Sequence, residues 1–406
     1  MQEAVIPTTL AKEKNKKSCA LFALMLATGA LAVNFWAWSL LGPLASRYAA
    51  DLSLTPLKLS VLLAVPIVIG SLGRIPIGVL TDRYGGRRVF SLLSFFAALP
   101  VVWLALADTY TTLIAAAVLL GTAGTSFAVG VPFVAAWYPP ERRGFALGVY
   151  GMGNIGTAIS GFLTPRLAEV FDRQVAYFVA ALALCVFGTA MALLGRNAPN
   201  WRPAEGSAWS RLSLAVYDRT TWDLSLVYAV TFGAFVAFGV YLPALLKVSY
   251  GLTMTDAATR AAGFVLFATI ARPLGGFLSD KIGGQTVVRV ALIATVCLAA
   301  VVAFQPTLAL PTTVAYLSLA VALGCGNGAV VALVGRLSKP ERVGSITGVV
   351  GASGGLGGFF PPLVLGFTYQ ATRSYSLALL MLAATAALVF IYIHLRFRAM
   401  KTADVG

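Results

Sequence analysis

Two arginines, Arg74 and Arg272, stand inside long apolar runs, each eight residues before an aspartate, Asp82 or Asp280. A guanidinium stays charged at any accessible pH and presents its N–H donors in a rigid planar fork, so it can hold two oxygens of one small planar anion. Eight residues of helix advance about 12 Å, which puts both arginines close to the midplane if the apolar runs cross a bilayer. Inserting an arginine there costs at least about 2.5–3.5 kcal/mol, or roughly 5–7 kcal/mol for the pair. All 15 acidic residues fall in tails, loops or helix ends, so no carboxylate inside the membrane is expected to offset that charge. Two explanations remain. Each guanidinium is held by backbone carbonyls and Asn or Tyr side chains, or its counter-ion is an anion that enters a cavity between helices.

Other residues point to the same depth. Glycines cluster at Gly148, Gly151, Gly153, Gly156 and Gly161, and again at Gly348, Gly351, Gly354, Gly355, Gly357 and Gly358. Close helix packing explains part of this pattern, and close approach of backbone to a small ligand explains the rest. Packing does not explain Asn154 within GMGNIG, because a buried amide needs a partner. Phe35, Phe127, Tyr228 and Phe232 sit mid-run. Aromatic faces can clamp a flat anion and a tyrosine can donate to it, although each ring is equally well read as packing.

The elements that must position these residues follow from composition. Of the 406 residues 59% are hydrophobic and only 11% charged, against roughly 25% charged in a soluble domain. The reading is an all-α integral membrane protein whose twelve apolar windows, between 18 and 395, are twelve transmembrane helices. The longest polar interruption, 196–221, is expected to be a cytoplasmic linker between a six-helix half at 1–195, with its tail, and a second at 222–406.

An internal repeat at an offset of roughly 198–200 residues supports two pseudo-symmetric halves. Gly73-Arg74 with Thr81-Asp82-Arg83-Tyr84-Gly85-Gly86 matches Ala271-Arg272 with Ser279-Asp280-Lys281-Ile282-Gly283-Gly284, and Pro140-Glu141-Arg142 matches Pro340-Glu341-Arg342. Of the 30 basic residues, about 21 fall in the tails and even-numbered connections. About seven fall on the opposite face: Arg47, Lys58, Arg166, Arg173, Lys247, Arg260 and Arg373. Both termini are therefore expected in the cytoplasm.

Several function classes drop out. The net charge of +15 reads as membrane topology rather than a nucleic-acid surface, since no soluble basic domain remains. Cys19, Cys185, Cys297 and Cys325 lack paired spacing, so no metal or disulfide is expected. The sole histidine, His394, has no nucleophile, base or metal-ligand cluster beside it, so neither enzyme chemistry nor a cofactor is expected.

From the residues alone, nitrate, nitrite, formate and oxalate all qualify as ligands. The loop Asp82-Arg83-Tyr84-Gly85-Gly86-Arg87-Arg88, with twelve spans and duplicated halves, resembles the major facilitator superfamily. GMGNIG, GASGGLGGFFPP, FWAW, YAVTFGAFVAF, RAAGF and ARPLGG together resemble its nitrate/nitrite porter family over essentially the whole chain. That resemblance implies secondary transport by alternating access in the cytoplasmic membrane, either as nitrate/nitrite exchange or as proton-linked uptake. Formate or oxalate transport is kept as the alternative. The porter resemblance implies an anion held by Arg74 and Arg272, rings from Phe127, Tyr228 and Phe232, the amide of Asn154, and Gly151, Gly351 and Gly354 in the signatures; Phe35 joins the candidate rings as the repeat counterpart of Phe232. The resemblance also implies a gating loop at Asp82, Arg83, Arg87 and Asp280. The expected partners are a small inorganic anion, the lipid bilayer and, in the proton-linked case, protons, and the expected state is a monomer.

Overall fold

The computed structural model describes residues 6–304, 306–372 and 374–403, which contain no strand. Twelve long helices order the chain. They are α1 (Ile6–Trp38), α2 (Pro56–Tyr84), α3 (Gly86–Ala105), α4 (Tyr110–Ala135), α5 (Pro140–Gly151 and Ile155–Val170), α6 (Arg173–Leu193), α7 (Arg219–Tyr250), α8 (Met254–Leu278), α9 (Gly284–Ala303), α10 (Leu310–Leu337), α11 (Val343–Thr372) and α12 (Ser376–Ala403). Among the described residues, ten segments are long and apolar enough to cross a membrane. One of them, Asp256–Ala303, holds both α8 and α9, and neither piece of α5, at 12 and 16 residues, qualifies alone. The chain is a multi-pass, all-helical membrane protein with the twelve expected spans.

Local chemistry sets the helix ends. Pro56 occupies the first turn of α2 behind Thr55, whose hydroxyl accepts from the Lys58 amide, and Thr109 and Thr112 form a reciprocal cap on α4. One residue separates α2 from α3 and α8 runs through a π-helical turn into α9, and at both reversals the hinge is a glycine. Gly85 has φ/ψ of 81°/149° and Gly283 of 87°/131°. Side chains with a Cβ avoid that region, so the repeat is written into the backbone as well as the sequence.

Three features depart from the sequence reading. The first apolar window continues in sequence to about 45, but α1 ends at Trp38 and a turn leads into a short helix, Ala45–Asp51. Pro43 disfavours helix at Gly42 and has no N–H to continue it. Residues 196–221 contain a helix, Ala208–Tyr217, whose buried Arg211 donates to the carbonyls of Ala204 and Gly206 at 3.0 and 3.2 Å. Asp82 and Asp280 are not loop residues: Asp82 lies in the last turn of α2 and Asp280 in the π-helical turn after α8. Arg373 and the chain ends at 1–5 and 404–406 lie outside the described residues.

The first six and last six spans meet chiefly between α2 and α11 and between α5 and both α8 and α10. A Cβ on Gly148 would come within 2.6 Å of the Arg272 carbonyl, and one on Gly348 within 2.6 Å of the Arg74 carbonyl. Small residues thus bring backbone onto backbone beside each arginine, as expected of helix contacts in lipid.

Candidate functional site: a paired guanidinium centre

Arg74 on α2 and Arg272 on α8 are both buried, and each reaches across to a glycine-rich helix of the other six-helix set. Arg74 Nη1 donates to the Gly351 carbonyl at 2.6 Å and Nε to the Gly124 carbonyl at 3.1 Å. Arg272 Nη1 donates to the Gly151 carbonyl at 3.0 Å. Gly151 and Gly351 are repeat-related, so the two bonds form a crossed, pseudo-symmetric pair. A Cβ at Gly351 would lie 3.1 Å from Arg74 Cδ, and one at Gly151 would lie 3.3 Å from Arg272 Cδ. These glycines therefore give the arginines room as well as carbonyls.

Mid-helix 3₁₀ turns mark both places in the first set. Gly124 sits inside the 3₁₀ turn Gly121–Thr125 of α4, and Gly151 immediately precedes Met152–Asn154 in α5. Asn154, in that second turn, turns its amide toward Arg272. With the oxygen facing the guanidinium it accepts from Nη1 and, at 2.8 Å, from Nη2; that orientation gives the amide a complementary partner,.

Aromatic faces complete the centre. Tyr228 stacks between Phe127 and Phe232, with ring centroids 6.0 and 5.0 Å away and planes within 16° and 11°. Phe232 is shared, lying 5.7 Å from the Arg74 guanidinium carbon and 5.5 Å from that of Arg272. Phe127 adds a second face to Arg74 at 5.5 Å and Phe235 a second to Arg272 at 5.0 Å. At up to about 2 kcal/mol per desolvated contact, these four contacts with three rings are of the order of the roughly 5–7 kcal/mol insertion cost of the pair. The protein alone can therefore hold both arginines in the membrane. What it leaves over is charge and donors: Arg74 Nη2, Arg272 Nε and the Tyr228 hydroxyl find no partner. Among the described residues, no ion pair includes either arginine.

The structure gathers Arg74, Arg272, Phe127, Asn154, Tyr228, Phe232, Gly151 and Gly351 into one centre. Gly354 borders it, since a Cβ there would strike the Tyr228 ring. Phe35 is placed differently: its ring contact is with Trp38, at 5.1 Å, whose indole donates to the Pro66 carbonyl at 2.8 Å. Sequence reasoning missed Tyr150 and Phe235. Tyr150 stacks on Phe127 at 6.1 Å and donates to the Ser126 carbonyl at 2.9 Å. Its place beside Gly151 was a usable signal, as was the three-residue spacing of Phe235 from Phe232, which sets both on one helical face.

Toward one end of the helices a second crossed pair joins the two six-helix sets. Asp82 accepts from the backbone N–H groups of Gly344 and Ser345, both at 2.8 Å, and from the Ser345 hydroxyl at 2.7 Å. Asp280 accepts from the N–H groups of Gly144 and Phe145 at 2.9 and 2.8 Å. Asp82 thereby satisfies free donors in the first turn of α11 and opposes the positive end of its dipole. The neighbouring arginines act elsewhere. Arg87 donates to the Ala192 carbonyl at the end of α6, and exposed Arg83 lies 5.5 Å from the Tyr84 ring. On the same face a cavity of about 920 Å³ is lined by Lys17, Asp82, Trp137, Arg142, Arg143 and Arg202 among others.

Comparison with known proteins places this arrangement. The profile described as Major Facilitator Superfamily matches residues 27–362. The chain is 45% identical over 379 residues, 92% of its length and 96% of the relative's, to the protein named probable nitrate/nitrite transporter NarK2 of Mycobacterium tuberculosis. It is 36% identical to the nitrite extrusion protein of Bacillus subtilis, covering 91% of this chain and 93% of that one. Among solved structures, the transporter FucP in its outward conformation superposes with a TM-score of 0.74 at 17% identity, over 93% of this chain and 99% of that one. That likeness reports fold alone. The twelve-helix fold, the repeat and these relatives establish that the chain belongs to the nitrate/nitrite porter family of the major facilitator superfamily.

Proposed function

We propose that this protein carries nitrate and nitrite across the membrane by alternating access, with Arg74 and Arg272 as the anion-binding pair. The observation that carries the reading is a pair of buried guanidiniums that share the Phe232 face, have no carboxylate partner and each keep an unpaired N–H. A planar oxyanion supplies the missing charge and acceptors. Tyr228 adds a hydroxyl donor, Phe127 and Phe232 form the stacking faces, and Asn154 orients Arg272. Relatives named for nitrate and nitrite favour those anions, and formate and oxalate find no support among them.

Residues 1–195 and 222–406 rock about the 196–221 connection, and the crossed aspartates hold one face shut in the conformation described. The distribution of basic residues makes that face cytoplasmic, with both termini there, and the site of action is the cytoplasmic membrane. The protein works as a monomer, since each pair of crossed contacts is completed within one chain. Two fixed positive charges resist crossing the low-dielectric core without an anion, which favours exchange. Proton-linked uptake remains the second reading, with the proton travelling beside the anion or through a carboxylate at the closed face.

The test is nitrate flux in proteoliposomes. Arg74→Lys and Arg272→Lys keep the charge and lose the planar fork, so each should lose most transport while remaining inserted. Near wild-type flux in either variant would refute the paired site.

A further inference from the structure

We infer that Asn327 is a second hydrogen-bonding amide of the central site, serving an oxyanion from the α10 side as Phe127 serves it by stacking from α4. Three observations converge. Asn327 lies mid-way along α10 with 1% of its surface exposed, and neither its amide nitrogen nor its amide oxygen has a partner. Buried amides are normally paired, so a group with both ends free is a place where a polar ligand fits.

The helical phase gives its direction. Gly326 faces α7 and α9, where a Cβ would come 2.9 Å from Thr231 Cγ2 and 3.3 Å from the Ala291 methyl. Gly328 faces α8, where a Cβ would meet the Arg272 carbonyl. Asn327 stands about 100° around the helix from each, on the arc between these two contacts. On the helices so contacted, Phe232 follows Thr231 and lies 5.5 Å from the Arg272 guanidinium carbon.

The repeat gives the same answer independently. At an offset of 200 the segment from Gly124 to Gly151 falls on that from Gly324 to Gly351 without a gap, and Asn327 falls on Phe127. Phe127 lies against Arg74 and Tyr228, and a Cβ on Gly351 would lie 3.5 Å from its ring. The equivalent position lies before Arg272 and Gly151. There the amide nitrogen can donate to an oxygen of the bound anion, beside Arg272 Nε, whose unpaired N–H faces the same anion. The centre is then deliberately unlike on its two sides, with a ring before Arg74 and an amide before Arg272.

This inference rests on reading the centre as an anion site, and two variants separate the two claims. Asn327→Leu keeps the volume and removes the donor and acceptor. In reconstituted full-length protein it should leave the unliganded melting temperature unchanged or higher, raise the apparent KM for nitrate about tenfold or more, and shrink the melting shift produced by nitrate. Asn327→Asp places a carboxylate before Arg272. It should raise the unliganded melting temperature, because it supplies the counter-ion the pair lacks, and should abolish the nitrate shift. A nitrate KM within twofold of wild type in Asn327→Leu, or a lower unliganded melting temperature in Asn327→Asp, would overturn the assignment. Wild-type protein that neither transports nitrate nor is stabilised by it would instead refute the transport reading, and the unliganded Asn327→Asp measurement would still decide where the side chain points.

Discussion

Replacing Asp82 with Asn isolates the contact that shuts one face of the protein. The carboxylate takes three hydrogen bonds from the start of α11, two from backbone N–H groups at 2.8 Å and one from the Ser345 hydroxyl at 2.7 Å. One oxygen serves Gly344 and the other serves both donors of Ser345. An amide has only one acceptor atom, so at least one of these bonds becomes a donor facing a donor, and the charge opposing the helix end is lost. Removing one charge-assisted bond costs about 1.5–3 kcal/mol, a factor of roughly 10–150 in an equilibrium constant. If the bonds exist only when this face is shut, the closed population falls by that factor. The assay is the distance between spin labels at Arg88 and Lys339, on α3 and before α11, measured by double electron–electron resonance in a background lacking native cysteines. Asp82→Asn should move the main distance peak to longer values, and Asp280→Asn should do so less, because Asp280 takes two bonds. An unchanged distribution in Asp82→Asn, with folding intact, would refute the role assigned to the crossed caps.

Phe232→Ala removes a face from both guanidiniums and should raise the KM for nitrate up to about 30-fold, at about 2 kcal/mol of cation–π interaction; Asn154→Ala should raise it less, because Arg272 keeps the Gly151 carbonyl. Unchanged KM in both would return these side chains to simple packing. Gly78→Ala and Gly276→Ala place a methyl group against the carbonyls of Gly344 and Gly144, where backbone cannot yield; both should lower transport and lengthen the same spin-label distances. For coupling, nitrate entry into liposomes that contain no anion substrate, driven by an inward proton gradient, would exclude strict exchange, whereas strong stimulation by internal nitrite with no pH response would exclude symport. Reporter fusions should place both termini in the cytoplasm, and either one outside would overturn the orientation.

The arginine pair was legible because a bilayer makes charge conspicuous. Arg74 and Arg272 stood out against apolar neighbours, and the spacing to Asp82 and Asp280 fixed their depth by helix rise alone. Sequence left two compensations open, carbonyls with Asn or Tyr side chains, or an anion; the structure supplies the first in large part, through Gly124, Gly151, Gly351 and Asn154, and adds the rings of Phe127, Phe232 and Phe235. The anion is called for by leftover charge and leftover N–H groups, a distinction that requires seeing which donors are occupied. Asn327 was passed over for a related reason. Within LGCGNGAVV it has only small or apolar neighbours, and its lack of any partner is visible only in the folded chain.

Hydropathy, repeat and motif thus determined the number of spans, the pairing of the two arginines and the family, since membrane insertion and helix rise act along the chain. Which carbonyl meets which guanidinium was decided by tertiary structure. The bonds from Arg74 to Gly351 and from Asp82 to Ser345 each join residues more than 250 positions apart. The crossing of N-terminal arginines and aspartates onto C-terminal glycines, and the reverse, exists only when two similar six-helix sets face each other. No local spacing encodes that contact, because its energy comes from backbone groups that every residue carries and that only close glycine packing brings within reach.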